Sequence, residues 1–208
     1  MDLLAELRER RALCIVRAPS IPDPVGLTAA LVDAGLPIVE FSFTTPGAAR
    51  LIEEASTVDG AIMGAGTVLT VQQARDAVSA GARFLLTPGI QPEVAAEAAR
   101  LGVPIVLGAM TPTEVATAVT MGSAAVKVFP AARLGPGYIK DLLGPYPGTA
   151  LVVSGGIHAG NAAEYLAAGA IAATAGSGVV SPELAAESRF AEIRLRAAEF
   201  VAAVRKTS

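Results

Sequence analysis

One cysteine, Cys14, and one histidine, His158, are all that 208 residues offer of the side chains most used for disulfides, transition metals and acid–base triads. A lone cysteine excludes an intrachain disulfide and a cysteine-built zinc site, and Cys14, set in an apolar strand pattern, is expected in the core. A lone histidine makes a multi-histidine metal site or a Ser-His-Asp triad hard to assemble. Tryptophan is absent, aromatic residues make up 4% and charged residues 17%, and the formal net charge is −3. No basic run with interleaved aromatics occurs, so nucleic acid is not an expected partner. No apolar stretch approaches the roughly 20 residues of a membrane helix, so neither is a bilayer. The segment Met1-Asp2-Leu3-Leu4-Ala5-Glu6 has acidic residues where a secretory signal has basic ones, which leaves the cytoplasm as the expected compartment. Chemistry must then rest on lysine, carboxylates, hydroxyls and backbone, with any anionic ligand held locally.

What the chain does have is apolar mass and glycine: 52% hydrophobic residues and 21 glycines. Short apolar runs alternate with longer amphipathic ones about every 20 to 25 residues. Eight strands are predicted, at Ala12–Val16, Pro37–Phe41, Ala61–Gly64, Arg83–Leu86, Val103–Leu107, Ala124–Phe129, Ala150–Val153 and Ile171–Thr174. Helical patterns such as Val71–Ala80, Glu93–Leu101 and Thr113–Met121 lie between them, each followed by glycine at Gly81, Gly102 or Gly122. A helix over Leu3–Arg11 should precede the first strand, and one over Ala185–Arg205 should close the chain. Eight βα units in this length imply an α/β fold of the TIM (β/α)8 class, one domain spanning residues 1–208. In such a barrel, functional groups belong at the C-terminal ends of the strands and in the loops that follow.

One residue does not suit its surroundings. Lys127 sits in Ala124-Ala125-Val126-Lys127-Val128-Phe129-Pro130, where a strand buried on both faces should carry no charge. Full burial costs the charged form of a lysine about 4–7 kcal/mol. Such a residue either snorkels to water, finds a partner, or serves as a neutral amine that attacks a carbonyl. A partner is available in Ile38-Val39-Glu40-Phe41-Ser42-Phe43-Thr44-Thr45-Pro46, whose Glu40 is likewise a charge among apolar residues. Together they would form either an imine-making amine with a proton-shuttling carboxylate, or a buried ion pair that only satisfies itself.

Glycine turns supply the other candidates. In Ile62-Met63-Gly64-Ala65-Gly66-Thr67-Val68-Leu69 the backbone can approach a ligand while Thr67 offers a hydroxyl, unless Thr67 or Thr70 simply caps the next helix. Thr111-Pro112-Thr113-Glu114 reads as a capping box and receives no catalytic role. Val153-Ser154-Gly155-Gly156-Ile157 and Thr174-Ala175-Gly176-Ser177-Gly178 follow the last two strands, where barrels often bind phosphate. These motifs indicate a phosphorylated ligand but no particular reaction.

Taken in order, Glu40 in its strand, Gly64-Ala65-Gly66-Thr67-Val68, Thr87-Pro88-Gly89, Met110-Thr111-Pro112-Thr113-Glu114 and Val126-Lys127-Val128-Phe129-Pro130 resemble the KDPG/KHG aldolases, from about Val16 to Val180. The resemblance implies a class I enzyme, independent of metal and cofactor. Such an enzyme splits 2-keto-3-deoxy-6-phosphogluconate (KDPG) into pyruvate and glyceraldehyde 3-phosphate, and in some members acts on 4-hydroxy-2-oxoglutarate (KHG). It further implies Lys127 as the Schiff-base lysine, Glu40 as general acid/base, Thr67 at the pyruvyl carboxylate, Pro88 lining the pocket, and Gly155, Gly156, Gly176 and Ser177 at the phosphate. Arg17 matches an active-site arginine of part of the family, and Thr44, Phe129 and Ser154 complete the candidate substrate-binding set. The family often forms trimers, so a homotrimer is expected. Two departures stand out. Phe43-Thr44-Thr45 replaces the Leu-Arg-Thr of many members, which implies a changed carboxylate anchor with Arg17 a candidate substitute, its partner among carboxylate, hydroxyl and phosphate left open, and Val153-Ser154 replaces Pro-Thr beside the sugar hydroxyls. The second leaves gluconate- and galactonate-derived substrates both open. An isomerase or synthase on the same phosphate-binding barrel, or a non-catalytic sugar-phosphate-binding barrel, would share the glycine motifs but not need the Lys127–Glu40 pair.

Overall fold

The computed structural model describes residues 1–206. Eight parallel strands close into a barrel in sequence order: β1 (Ala12–Val16), β2 (Ile38–Ser42), β3 (Ile62–Gly66), β4 (Leu85–Leu86), β5 (Ile105–Ala109), β6 (Ala125–Val128), β7 (Leu151–Val153) and β8 (Ala172–Ala175). The predicted (β/α)8 class and the helix before the first strand are both present, the latter as α1 (Leu3–Arg10). Between strands run α2 (Pro24–Asp33), α3 (Ala48–Ala55), α4 (Val71–Ser79), α5 (Pro92–Leu101), α6 (Pro112–Thr120), α7 (Pro136–Leu143) and α8 (Ala162–Ala167). Their starts follow local chemistry. Asp23, Thr70 and Thr111 each accept a backbone N–H with the side chain, and Thr111 and Glu114 form the reciprocal capping box. Thr70 thus caps α4, which frees Thr67 from that duty.

The closing segment corrects the single helix expected over Ala185–Arg205. It is two helices, α9 (Pro182–Ala186) and α10 (Phe190–Arg205). Ser181 caps α9 ahead of Pro182, so the first helix starts earlier than the apolar pattern suggested. It stops because Ser188 adopts a left-handed φ of 53° and the Arg189 N–H turns back to the Leu184 carbonyl at 3.0 Å. α10 then packs on α2, the Phe190 ring occupying the space that a side chain at Gly26 would need.

Alternation along the strands sorts the core into two regions. Val39, Phe41, Met63, Val126 and Val153 face the helices. Leu13, Ile38, Ile62, Phe84, Leu86, Val106, Ala125, Val152 and Ala172 fill the inside, where Leu3 and Leu7 of α1 join them and seal one end. Two residues further along β2 and β6 from Ile38 and Ala125, on the same inner face, come Glu40 and Lys127. The inside of the barrel therefore changes from apolar to polar toward the strand C-termini. Among the described residues no helix is long and apolar enough to cross a membrane.

Candidate active site

Lys127 and Glu40 are 5% and 1% exposed, and Nζ lies 4.0 Å from Glu40 Oε1, close enough for strong attraction but beyond a hydrogen bond. Glu40 Oε2 is buried without a hydrogen-bond partner. Burial pushes the Lys127 ammonium below the ordinary lysine range, which the Glu40 carboxylate opposes and the Arg17 charge reinforces. Burial also raises the Glu40 carboxyl, with Lys127 and then Arg17 pulling the other way. The lysine thus tends toward a neutral amine and the glutamate toward a neutral acid. Glycine makes the geometry possible: a Cβ on Gly66, one strand over, would stand 2.5 Å from Glu40 Oε1. Beneath, Gly64 lies opposite Glu40 in the β2–β3 register, and the Phe84 ring takes up the space its side chain would fill.

Above this pair opens a cavity of about 490 Å³, a size suited to a small metabolite. Lys127 lines it, as do Arg17, Thr44, Thr67, Pro88, Phe129, Ser154, Gly155, Gly156, Gly176 and Ser177, the residues nominated for substrate. Glu40 lies deeper, behind Lys127. Nζ is 5.6 Å from the centre of the Phe129 ring. On the β1–β3 side, Arg17 Nη2 donates to Thr67 Oγ1 at 3.3 Å, and Ser42 Oγ donates to the same oxygen at 3.0 Å. Thr67 has a left-handed φ of 56°, a rare conformation for a β-branched residue that costs about 1–3 kcal/mol.

Around the other flank of β1, the turns after β7 and β8 present backbone to the same cavity. Gly155 and Gly156 have φ of 87° and 75°, and a Cβ on Gly155 would press on the Phe129 ring at 2.9 Å. The N–H groups of Gly155, Gly156, Ser177 and Gly178 make no hydrogen bond to other described residues, which leaves a cradle of donors suited to an anion. Asn161 holds the first turn, donating from Nδ2 to the Gly156 carbonyl at 3.0 Å and accepting the His158 N–H at 2.9 Å. His158 Nδ1 itself accepts from Gly160 N–H.

Sequence reasoning missed Ser42, Thr174 and Ile15. Thr174 and Ile15 line the cavity; Ser42 lies just behind its wall. The signal was present, since Ser42 follows Glu40 by two on the same face of β2, and Thr174 precedes Gly176 by two on β8.

The sequence profile of the family described as KDPG and KHG aldolase matches residues 3–195. The chain belongs to the KDPG/KHG aldolase family. It is 38% identical over 199 residues to the 2-dehydro-3-deoxy-phosphogluconate aldolase of Treponema pallidum, covering 93% of each chain. It is 32% identical over 197 residues to the 2-dehydro-3-deoxy-6-phosphogalactonate aldolase of Escherichia coli, covering 93% of this chain and 94% of that one. Among solved structures, the KDPG aldolase of Legionella pneumophila, with pyruvate captured as a covalent carbinolamine intermediate, superposes with a TM-score of 0.86 at 28% identity, covering 94% of this chain and 96% of that one. As a member of the KDPG/KHG family the protein is an aldolase, a carbon–carbon lyase.

Proposed function

We propose that the protein is a class I aldolase that cleaves 2-keto-3-deoxy-6-phosphogluconate to pyruvate and glyceraldehyde 3-phosphate through an imine on Lys127. The observation that carries this reading is the buried pair itself, an amine biased toward its neutral form 4.0 Å from a carboxyl biased toward its acid form, at the floor of the cavity. Lys127 Nζ attacks the 2-keto carbon, and Glu40 hands a proton to the departing carbinolamine oxygen, which leaves as water. The iminium nitrogen is the electron sink. Glu40, now a carboxylate, takes the proton of the C4 hydroxyl directly or through one water. The C4 oxygen electrons become the aldehyde carbonyl, the C3–C4 bond breaks, and its electron pair enters the enamine. Glu40 returns the proton to C3, and hydrolysis of the imine releases pyruvate and the free amine.

The rest of the cavity supports the same substrate. The donor cradle at Gly155, Gly156, Ser177 and Gly178, with Gly176 in the same turn, suits the phosphate, and its binding there would orient the reacting bond from a distance. Arg17 and Thr67 suit the carboxylate, Arg17 supplying the charge that Thr44 lacks. Ser154, which lines the cavity and immediately precedes Gly155, suits the sugar hydroxyls. No metal or cofactor enters the scheme. We place the enzyme in the cytoplasm as a homotrimer, for which the exposed Val119 and Leu195 on α6 and α10 supply apolar surface; sedimentation as a monomer at micromolar concentration would remove that part.

The test is borohydride reduction in the presence of pyruvate, followed by peptide mass spectrometry, with Lys127→Ala as control. An adduct on Lys127 alone is expected, and no adduct on folded protein would overturn the reading. Cleavage of gluconate-derived, galactonate-derived and 4-hydroxy-2-oxoglutarate substrates side by side then ranks the aldehyde partners. The highest kcat/KM is expected on the gluconate-derived acid.

A further inference from the structure

The hydrogen bonds behind the cavity wall have a direction that the donor count fixes. Thr67 Oγ1 receives one hydrogen bond from Arg17 Nη2 and one from Ser42 Oγ. A hydroxyl oxygen has two lone pairs and one hydrogen, so both acceptor positions of Thr67 are filled. All it has left to offer is its own O–H. Ser42 has spent its only hydrogen on Thr67, so in its 2.8 Å contact with Thr44 Oγ1 the donor is Thr44, and the Thr44 backbone N–H adds a longer bond of 3.4 Å to the same serine oxygen. Every hydrogen along Thr44, Ser42 and Thr67 therefore points one way, and the last of them ends at the cavity that Thr67 lines. Ser42 is fully buried and lies outside the cavity lining, so its influence on a ligand passes through the residues it bonds, Thr67 and Thr44, and only Thr67 receives its hydrogen.

We propose that Ser42 is a positioning residue, which locks the Thr67 hydroxyl as a hydrogen-bond donor aimed into the cavity at the carboxylate of a bound 2-keto acid. This rests on the aldolase reading above. A hydroxyl free to rotate must give up its other orientations to present its hydrogen to an anion. With its lone pairs occupied by Arg17 and Ser42, Thr67 presents only the hydrogen, and bonds in a one-way chain strengthen one another. A bond from a hydroxyl to a carboxylate is also about twice as strong as one between neutral groups. The left-handed backbone at Thr67 fits this role, because its strained conformation is held by Ser42 from behind and by Arg17 from within the cavity lining.

The experiment compares wild type with Ser42→Ala and with Ser42→Cys, a near-isosteric change to a weak donor that leaves no hole in the packing. Cyanoborohydride trapping on Lys127 is followed by intact mass against pyruvate concentration, and against acetone, a ketone with no carboxylate. Both variants are expected to raise the half-saturating pyruvate concentration roughly five- to tenfold, the scale of one weakened hydrogen bond to a charged group. Trapping at saturating pyruvate and the rate with acetone should stay within about twofold of wild type. Unchanged pyruvate half-saturation in both variants overturns the proposal, and so does an equal slowing with pyruvate and acetone, since that marks a general disturbance of the pocket. Absence of any adduct on wild-type Lys127 overturns the Schiff-base reading, and the role of Ser42 with it.

Discussion

At the scale of single residues, the two perturbations at Lys127 and Glu40 act on one proton. Burial lowers the affinity of the amine for it and raises that of the carboxyl, so both effects move it from Nζ to the carboxylate and leave a nucleophile beside an acid. In its ionised form Glu40 also holds Lys127 back: the carboxylate charge is the influence that raises the lysine, while burial and Arg17 both lower it. In Glu40→Gln the opposing influence is gone. The amine becomes neutral at lower pH, and the midpoint of the rise in pyruvate trapping rate with pH should move down. Cleavage of the full substrate should fall by roughly 10²–10⁴, because glutamine cannot exchange protons. A trapping midpoint that stays put or moves up would show that Glu40 does not set the lysine's charge. These two residues were legible in the sequence because a charge in an apolar strand is costly and conspicuous. Ser42 was not. A small hydroxyl costs little in a strand, and its importance lies in which oxygens it meets across β2 and β3.

At the scale of elements, the sequence was read best where local chemistry decides the outcome. The capping box at Thr111, the cap that releases Thr67 at Thr70, and the glycine that ends α5 at Gly102 all act within one turn. The break between α9 and α10 was hidden, since it depends on a left-handed serine where a glycine would have announced the stop. Pairing between neighbouring helices was equally hidden. Glu97 of α5, nearly buried, accepts from Arg75 of α4 at 2.8 Å and from Arg100 of its own helix at 2.6 and 2.9 Å. These bonds hold its carboxyl down to about 2. A carboxyl lowered on folding contributes stability above its unfolded value, and that contribution disappears as pH falls toward the folded one. Both arginines are half exposed or more, so solvent screens the effect. Glu97→Gln should therefore lower the urea midpoint near neutral pH, with the gap to wild type closing between about pH 5 and pH 2. A gap independent of pH would mean that Glu97 matters through packing alone.

At the scale of the whole molecule, the barrel separates stability from chemistry along its axis. The closed end is apolar: Leu3 and Leu7 of α1 enter the inside and meet Leu13, Ile38, Phe84 and Val152 there. The open end carries the charges and hydroxyls, supported by strands whose inner face turns from Ile38 to Glu40 and from Ala125 to Lys127 within two residues. Nothing polar is needed at the first end, and little apolar burial is available at the second. A defect in the plug should therefore lower the free energy of the fold without moving the groups that hold a ligand. Leu7 is 1% exposed, so Leu7→Ala removes buried methyl groups and leaves a cavity that the ring of strands cannot easily collapse. The expected loss is about 2–5 kcal/mol in urea unfolding. Pyruvate half-saturation in the trapping assay should stay within about twofold of wild type while the protein remains folded, since Lys127, Thr67 and the glycine cradle all lie at the other end of the strands. A tenfold change in half-saturation at unchanged fold would show that the strands transmit displacement along their length, and the division of the barrel into a stabilising end and a reacting end would have to be given up.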